Sequence, residues 1–297
     1  NVTISGFTID GDNTTLTSGF TSTNGADIDA AEGVTVYETG INNLTVSNNI
    51  IQNLSYFGVT LYDYPAGVPS SGHVITNNKI QNLGTYDIAS GIDYWGGGVL
   101  LYNNQYTAIT NNCMSNVRLG VQTGNFSQAN PGAPGSQVIS GNTIEARRTG
   151  IFHNLHYGTA SPMTFSNNTI DALANANETR WDGIALSSLA VPSISTNNTI
   201  DGNGIAASNL SKGYEIWNVA APITNSTITG GSVSGVDIGV FANNYDGYSS
   251  DAPDGSYATI SGVTITPSIT GVGVRIYDNA LATSHAPVRL DLSGCTI

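Results

Sequence analysis

Charge is what this chain has least of. Asp, Glu, Lys and Arg make up 10% of its 297 residues, against roughly 25% in ordinary soluble domains. Cations are scarcest, with 8 Lys and Arg against 21 Asp and Glu and a formal net charge of -13. That balance excludes nucleic acid as a partner, since phosphates are held by clustered Lys and Arg. Long apolar runs are missing too. None approaches the about 18 residues of a membrane span, so no membrane insertion is expected. No stretch of ten residues has helical apolar spacing, which excludes a helical solenoid. There are two cysteines, Cys113 and Cys295. Asn, Thr, Ser and Gly fill the gap left by charge, a composition that suits a secreted or cell-surface protein, bacterial in character.

What is present is repetition. One motif reads apolar, Ser/Thr, Asn/Gly, often Asn, any residue, apolar. It starts at Ile4 (ISGFTI), Val46 (VSNNII), Ile75 (ITNNKI), Ile109 (ITNNCM) and Ile139 (ISGNTI), then at Phe165 (FSNNTI), Ser195 (STNNTI), Ile223 (ITNSTI), Ile260 (ISGVTI) and Leu292 (LSGCTI). A second motif falls between successive copies: Gly, apolar, x, usually apolar, x. It begins at Gly33, Gly58, Gly98, Gly120, Gly150, Gly183, Gly213, Gly239 and Gly273. Each is a short alternating strand introduced by a glycine. Two short strands per interval, with loops of varying length between them, describe a solenoid coil. Loops at 10–32, 63–72, 84–97, 124–137 and 243–257 should project from it.

The fourth motif position is Asn in six consecutive copies: Asn49, Asn78, Asn112, Asn142, Asn168 and Asn198. Asn tolerates the left-handed backbone of a sharp turn, and stacked amides hydrogen-bond along a stack. This pattern resembles the asparagine ladder of right-handed parallel β-helix proteins, the pectate-lyase-like group, and it spans residues 4 to 297. The fold expected is all-β, a right-handed parallel β-helix of about ten coils, roughly 45 Å long at about 4.8 Å per coil. The cysteines lie six repeat intervals apart, roughly 29 Å at that rise. A disulfide needs Cα atoms within about 7 Å, so both are expected as free, buried small residues. Residues 1–297 read as one domain. The chain opens and closes inside a repeat, so it is expected to be a segment of a longer extracellular protein.

In the glycine-led strands the second and fourth residues after glycine should point outward. The fourth-place column includes Tyr37, Tyr62, Tyr102, Asn154, Trp217 and Tyr277, and the second-place column includes Phe152, Glu215, Phe241 and Arg275. Flat rings with polar edges suit sugar faces. Proteins that this chain resembles bind polysaccharides along such a face. Charge is uneven along the stack: residues 118–182 hold four basic and four acidic residues, while the remainder holds 4 basic and 17 acidic. The candidate ligand contacts are therefore Tyr62, Tyr102, Phe152, Asn154, Arg148, Arg180, Trp181 and Trp217, with a polysaccharide or cell-surface glycan as partner.

The expected role is a non-catalytic stalk or adhesin-like segment touching glycan. The competing class is a polysaccharide hydrolase, lyase or epimerase centred on residues 145–217. Glycoside hydrolysis needs two carboxylates, for which Glu178, Asp182 and Glu215 are candidates. A lyase or epimerase needs a base and a cation, which Arg147, Arg148, Arg180, His153 and His156 could supply. His153 is better read as a hydrogen-bonded core residue, since its place in the strand points inward. The Asp-Asp, His-Gly and Arg-x-Lys of polygalacturonases, the Arg-x-Pro-x-x-Arg of pectate lyases and the Asp-Pro-His-Glu of alginate epimerases are all absent. Calcium is the only cofactor with any support, from Asp10-Gly-Asp12-Asn13 and from Asp246, Asp251 and Asp254. Neither completes an EF-hand, so no cofactor or metal is expected. End-to-end stacking into a filament is a third possibility.

Overall fold

The computed structural model describes residues 1–17, 27–63, 70–84, 86–87, 92–93, 96–104, 106–124, 137–156, 162–174, 178–189, 193–203, 210–217, 226–243, 257–277 and 288–297. The chain winds as a right-handed parallel β-helix whose strands pair parallel with their equivalents one coil away. The first sheet has ten strands, from Val2–Ser5 to Arg289–Ser293. The second and third sheets join where Cys113–Gly124 and Thr143–His156 run through both. Among the described residues they hold nine strands each, so the chain closes nine complete coils and adds one further first-sheet strand. No helix among the described residues is long and apolar enough to cross a membrane.

The two motifs are what close each coil. The first apolar residue of the first motif faces inward, and Ile75, Ile109, Ile139 and Phe165 stack with no exposed surface. The last residue does the same in the second sheet, as in Ile80, Ile144 and Ile170. The glycine that opens each third-sheet strand lies against the core. A Cβ on Gly120 would sit 2.4 Å from the Gly150 carbonyl oxygen and 2.5 Å from Ile144, closer than atoms pack.

The left-handed turn falls one place earlier than the ladder. Asn48, Asn77, Asn111, Asn167 and Asn197 have φ between 53° and 56°, and Gly141 takes the same role at 66°. The fourth-place asparagines are instead fully enclosed amides. Asn112 shows the pattern: its Nδ2 donates to Ile75 O and to Asn142 Oδ1, both at 3.0 Å. Its Oδ1 accepts the backbone N–H and the Nδ2 of Asn78, also at 3.0 Å. The same bonds run from Asn49 to Asn198. The ladder satisfies the turn's buried donors, which hydrogen bonds of the sheet do not reach.

Two details depart from the sequence reading. The eighth motif copy begins at Ile228, not Ile223: Ser195 pairs with Ile228, which pairs with Ile260. Residues 223–225 lie outside the described ones. The cysteines are free, but neither is fully buried: Cys113 is exposed and Cys295 half-buried. Cys113 occupies the fifth motif position, which points outward beside Lys79 and Thr143. Cys295 takes the ladder position in the last strand, where no further coil covers it.

Replacing Asn112 by Ala leaves the backbone N–H of Asn78 without its acceptor and removes one of the bonds made by Asn78 Nδ2, Asn142 Oδ1 and Ile75 O. At about 1–3 kcal/mol for each orphaned group, the variant should lose about 3 kcal/mol of stability in urea unfolding. Asn111→Gly, which keeps the left-handed turn, should cost far less.

Candidate functional site

The outer face of the third sheet carries the residues with chemistry. Pairing places Thr60, Leu100, Gln122, Phe152, Ala185, Glu215, Phe241 and Arg275 in one row along the helix axis. Tyr62, Tyr102, Gly124, Asn154, Ser187, Trp217, Asn243 and Tyr277 form the next. At its ends this face is open, with Tyr37 49% and Tyr277 45% exposed. In its middle it is covered: Tyr102, Phe152 and Glu215 are buried, and Tyr62 and Asn154 half-buried.

Tyr62 and Tyr102 stack with centroids 4.2 Å apart, and Tyr37 tilts against Tyr62 at 5.5 Å. The stacked rings occupy each other's faces. Glu32 caps this end. Its carboxylate accepts from Thr60 at 2.7 Å and from Thr35 and Tyr37 at 3.0 Å. Burial and this carboxylate push the Tyr37 phenol up to about 12.

Trp181 is no sugar platform. It lies in the core with no exposed surface, and its indole N–H donates to Ala146 O at 3.0 Å. His153 is also a core residue, 2.6 Å from Thr123 Oγ1 through Nδ1. The side chains of His156 and Trp217, and Asp246, Asp251 and Asp254 altogether, lie outside the described residues. Asp10 spends its carboxylate on a turn, accepting from the Asp12 N–H, Gln52 and Asn53. Among the described residues no three His, Cys, Asp or Glu side chains gather as a metal site.

The four acid–base candidates separate into three settings. Arg147 is buried and donates to Asn116 O and Leu83 O, both at 2.8 Å, and to Gly84 O. It staples the turns of two preceding coils. Burial pulls it down to about 10, with Glu178 opposing and Arg118 adding to the drop. Glu178 is held between Arg118 Nε at 2.7 Å and Arg148 Nη1 at 3.1 Å.

The third setting brings Asp182 and Glu215 to one ammonium. Lys212 Nζ lies 3.2 Å from Asp182 Oδ1 and 2.7 Å from Glu215 Oε1, and Arg180 Nε is 3.4 Å from Asp182 Oδ2. All of Asp182, Lys212 and Glu215 are buried. Glu215 Oε2 accepts no hydrogen bond among the described residues. Burial and then Asp182 raise the Glu215 carboxyl above its ordinary value, against Lys212. Burial pulls the Lys212 ammonium down, but Asp182 and Glu215 outweigh it and its pKa is raised. Two carboxylates that share one ammonium, with the carboxyl of one raised, are an arrangement that can perform acid–base work. Lys212 and Glu32 are the residues that the sequence reading passed over. Strict alternation would send Lys212 inward with Tyr214 and Ile216, so only the change of phase at Gly213 brings it to Glu215, and the sequence pattern carried no signal for it.

No family model matches the chain, and no curated protein does. Solved structures share its winding. The N-terminal fragment of gene product 12 of bacteriophage phi29 is 16% identical at a TM-score of 0.47, covering 100% of this chain and 56% of its own. The chain thus spans about half of that fragment. A periplasmic alginate epimerase is 14% identical at 0.36, covering 88% of this chain and 76% of its own. The A-module of a mannuronan C-5 epimerase from Azotobacter vinelandii is 12% identical at 0.30, covering 89% and 84%. At these values the likeness describes the β-helix fold and nothing finer.

Lys212→Met leaves Asp182 and Glu215 buried without their shared counter-charge, which should cost about 3–5 kcal/mol in urea unfolding. Glu215→Gln should cost less. Its effect should also depend on pH. A carboxyl raised by folding favours the native state while protonated, and that contribution is lost as pH rises through its folded value. The parent's stability should therefore fall, relative to Glu215→Gln, as pH climbs above the ordinary value of 4.5.

Proposed function

We propose that this chain is an extracellular β-helix stalk, adhesin-like, that contacts a polysaccharide or cell-surface glycan along the outer face of its third sheet. The observation that supports it is the tyrosine row Tyr37, Tyr62 and Tyr102 beside the carboxylate of Glu32. The half-exposed ring of Tyr37, next to a strong acceptor, suits a hydroxyl-rich ligand. The first 78 residues contain no Lys or Arg, so this end favours a neutral glycan over a uronate. Arg147 and Glu178 being fully engaged in buried structural bonds supports a scaffold over a catalyst. Binding to a panel of neutral and uronic polysaccharides, read by calorimetry, tests this. Tyr62→Ala should weaken binding about tenfold, the ~1.4 kcal/mol of one aromatic contact, with the circular dichroism unchanged. Equal affinity in parent and variant would remove the tyrosine row from the account.

Asp182, Lys212 and Glu215 favour a second reading, a polysaccharide hydrolase, lyase or epimerase. Glu215 would serve as the acid and Asp182 as its partner, with Arg148 and Arg180 near the same face. Release of reducing or unsaturated ends from the same panel, abolished by Glu215→Gln, would replace the stalk reading with this one. No turnover from folded protein on any member leaves the stalk.

A further inference from the structure

The first sheet carries a surface that neither reading uses. Its outward positions are the second residue of each first motif and the residue two places before it. The second residue is Ser or Thr in every strand of the sheet, from Ser5 through Thr76, Thr110, Thr196 and Thr229 to Ser293. The preceding position is Thr at 3, 45, 164, 227 and 259, and small or β-branched apolar at Val74, Ala108, Val138 and Ile194. Asp291, in the last strand, is the one charge in these two columns, and it is paired with Arg289 at 3.0 Å. A chain with net charge -13 has thus kept one face nearly free of charge.

The face is regular and open over part of its length. Thr76, Thr110, Ser140 and Thr196 are half-buried, Ser47 is buried, and Ser5, Thr229 and Ser293 are exposed. Every strand pair in this sheet keeps its register without a shift, whereas the pairing of Cys113–Gly124 with Thr143–His156 is interrupted twice. Hydroxyls also bond along the axis: Thr110 Oγ1 donates to Thr76 Oγ1 at 2.9 Å, and Ser47 to Ser5 at 3.2 Å. The columns therefore repeat at about 4.8 Å along the helix, and alternate residues lie about 6.6 Å apart along each strand. The Thr, Val and Ile side chains of the array are restricted at χ1, so these positions lose little entropy on binding.

Charges and aromatic rings commonly grip a protein or a soluble glycan chain, and apart from Asp291 these two columns carry neither. A periodic, uncharged lattice of hydroxyls and methyls matches a periodic, uncharged lattice of water. Methyl groups seat in the openings of the water network, and hydroxyls join its hydrogen bonds. We propose that the outer face of the first sheet is an ice-binding surface, with the crystal face of ice as its ligand.

The test is growth of single ice crystals in the purified chain, with thermal hysteresis and partitioning of protein into a slowly growing ice front. The parent should facet the crystals, hold a freezing–melting gap and enter the ice. Thr110→Lys and Thr196→Lys place a hydrated charge in the array and should abolish all three effects. Ser140→Tyr, which breaks flatness without charge, should do the same, and Lys79→Ala, off the face, should do nothing. Circular dichroism of each variant establishes that the coil is intact. Parent protein excluded from ice with unshaped crystals would overturn the proposal, as would full activity in Thr110→Lys. Binding to insoluble crystalline polysaccharide, or dimerisation on sedimentation, with no ice activity and loss in Thr110→Lys, would assign the face to those partners and overturn it equally.

Discussion

Each coil of this molecule turns a corner inside its own core, and the amide of one asparagine makes that corner tenable. Its carbonyl oxygen takes the backbone N–H of the coil before it, and its nitrogen reaches back to a strand carbonyl and on to the next amide. A buried amide with all its groups matched is stabilising, and one with a missing partner is costly. The ladder therefore admits only one register: a coil that slipped by a residue would break bonds in its neighbours on both sides. The rest of the fold inherits that register. The residue before each ladder amide must take the left-handed turn, the residue before that must face out from the first sheet, and the next apolar residue must enter the core.

Placing so many side chains by register has consequences on two faces. On the first sheet it lines up hydroxyls, because the same motif position is Ser or Thr in every coil. On the third sheet it stacks unlike residues from segments far apart in sequence. The scarce cations are concentrated there. Arg118, Arg147, Arg148, Arg180 and Lys212 account for most of the Lys and Arg in the chain, and all but Arg147, which binds backbone carbonyls, form ion pairs with buried carboxylates. Such pairs rarely add net stability over apolar packing. Arg147 and Glu178 have every sign of fastening coils together. Asp182, Lys212 and Glu215 differ, since among the described residues a buried carboxylate oxygen of Glu215 has no donor and its carboxyl is raised above its ordinary value. Perturbed, incompletely satisfied groups of this kind gather where chemistry or ligand binding occurs.

Reading alternation alone identified the outward columns but not what covers them. Tyr102 and Phe152 occupy the positions expected, yet both are buried. The glycine-led strands say which way a ring points and nothing about the chain that passes above it. Trp181 was misjudged for a related reason: it precedes the glycine-led motif, where the two sheets meet and the alternation changes phase.

The sequence by itself determined the solenoid, its hand by resemblance, the turn that carries the asparagine ladder and the residues that fill the core. These follow from local rules repeated coil after coil, and repetition makes a weak local signal strong. It also fixed the anionic character of the chain and the hydroxyl column. Only the tertiary structure decided which distant charges meet. Asp182 and Lys212 are thirty residues apart in the chain and share an ion pair because they are register partners in successive coils. Register sets those encounters, and the positions where charges fall lie outside the repeated motif, so the repeat carries no signal for them.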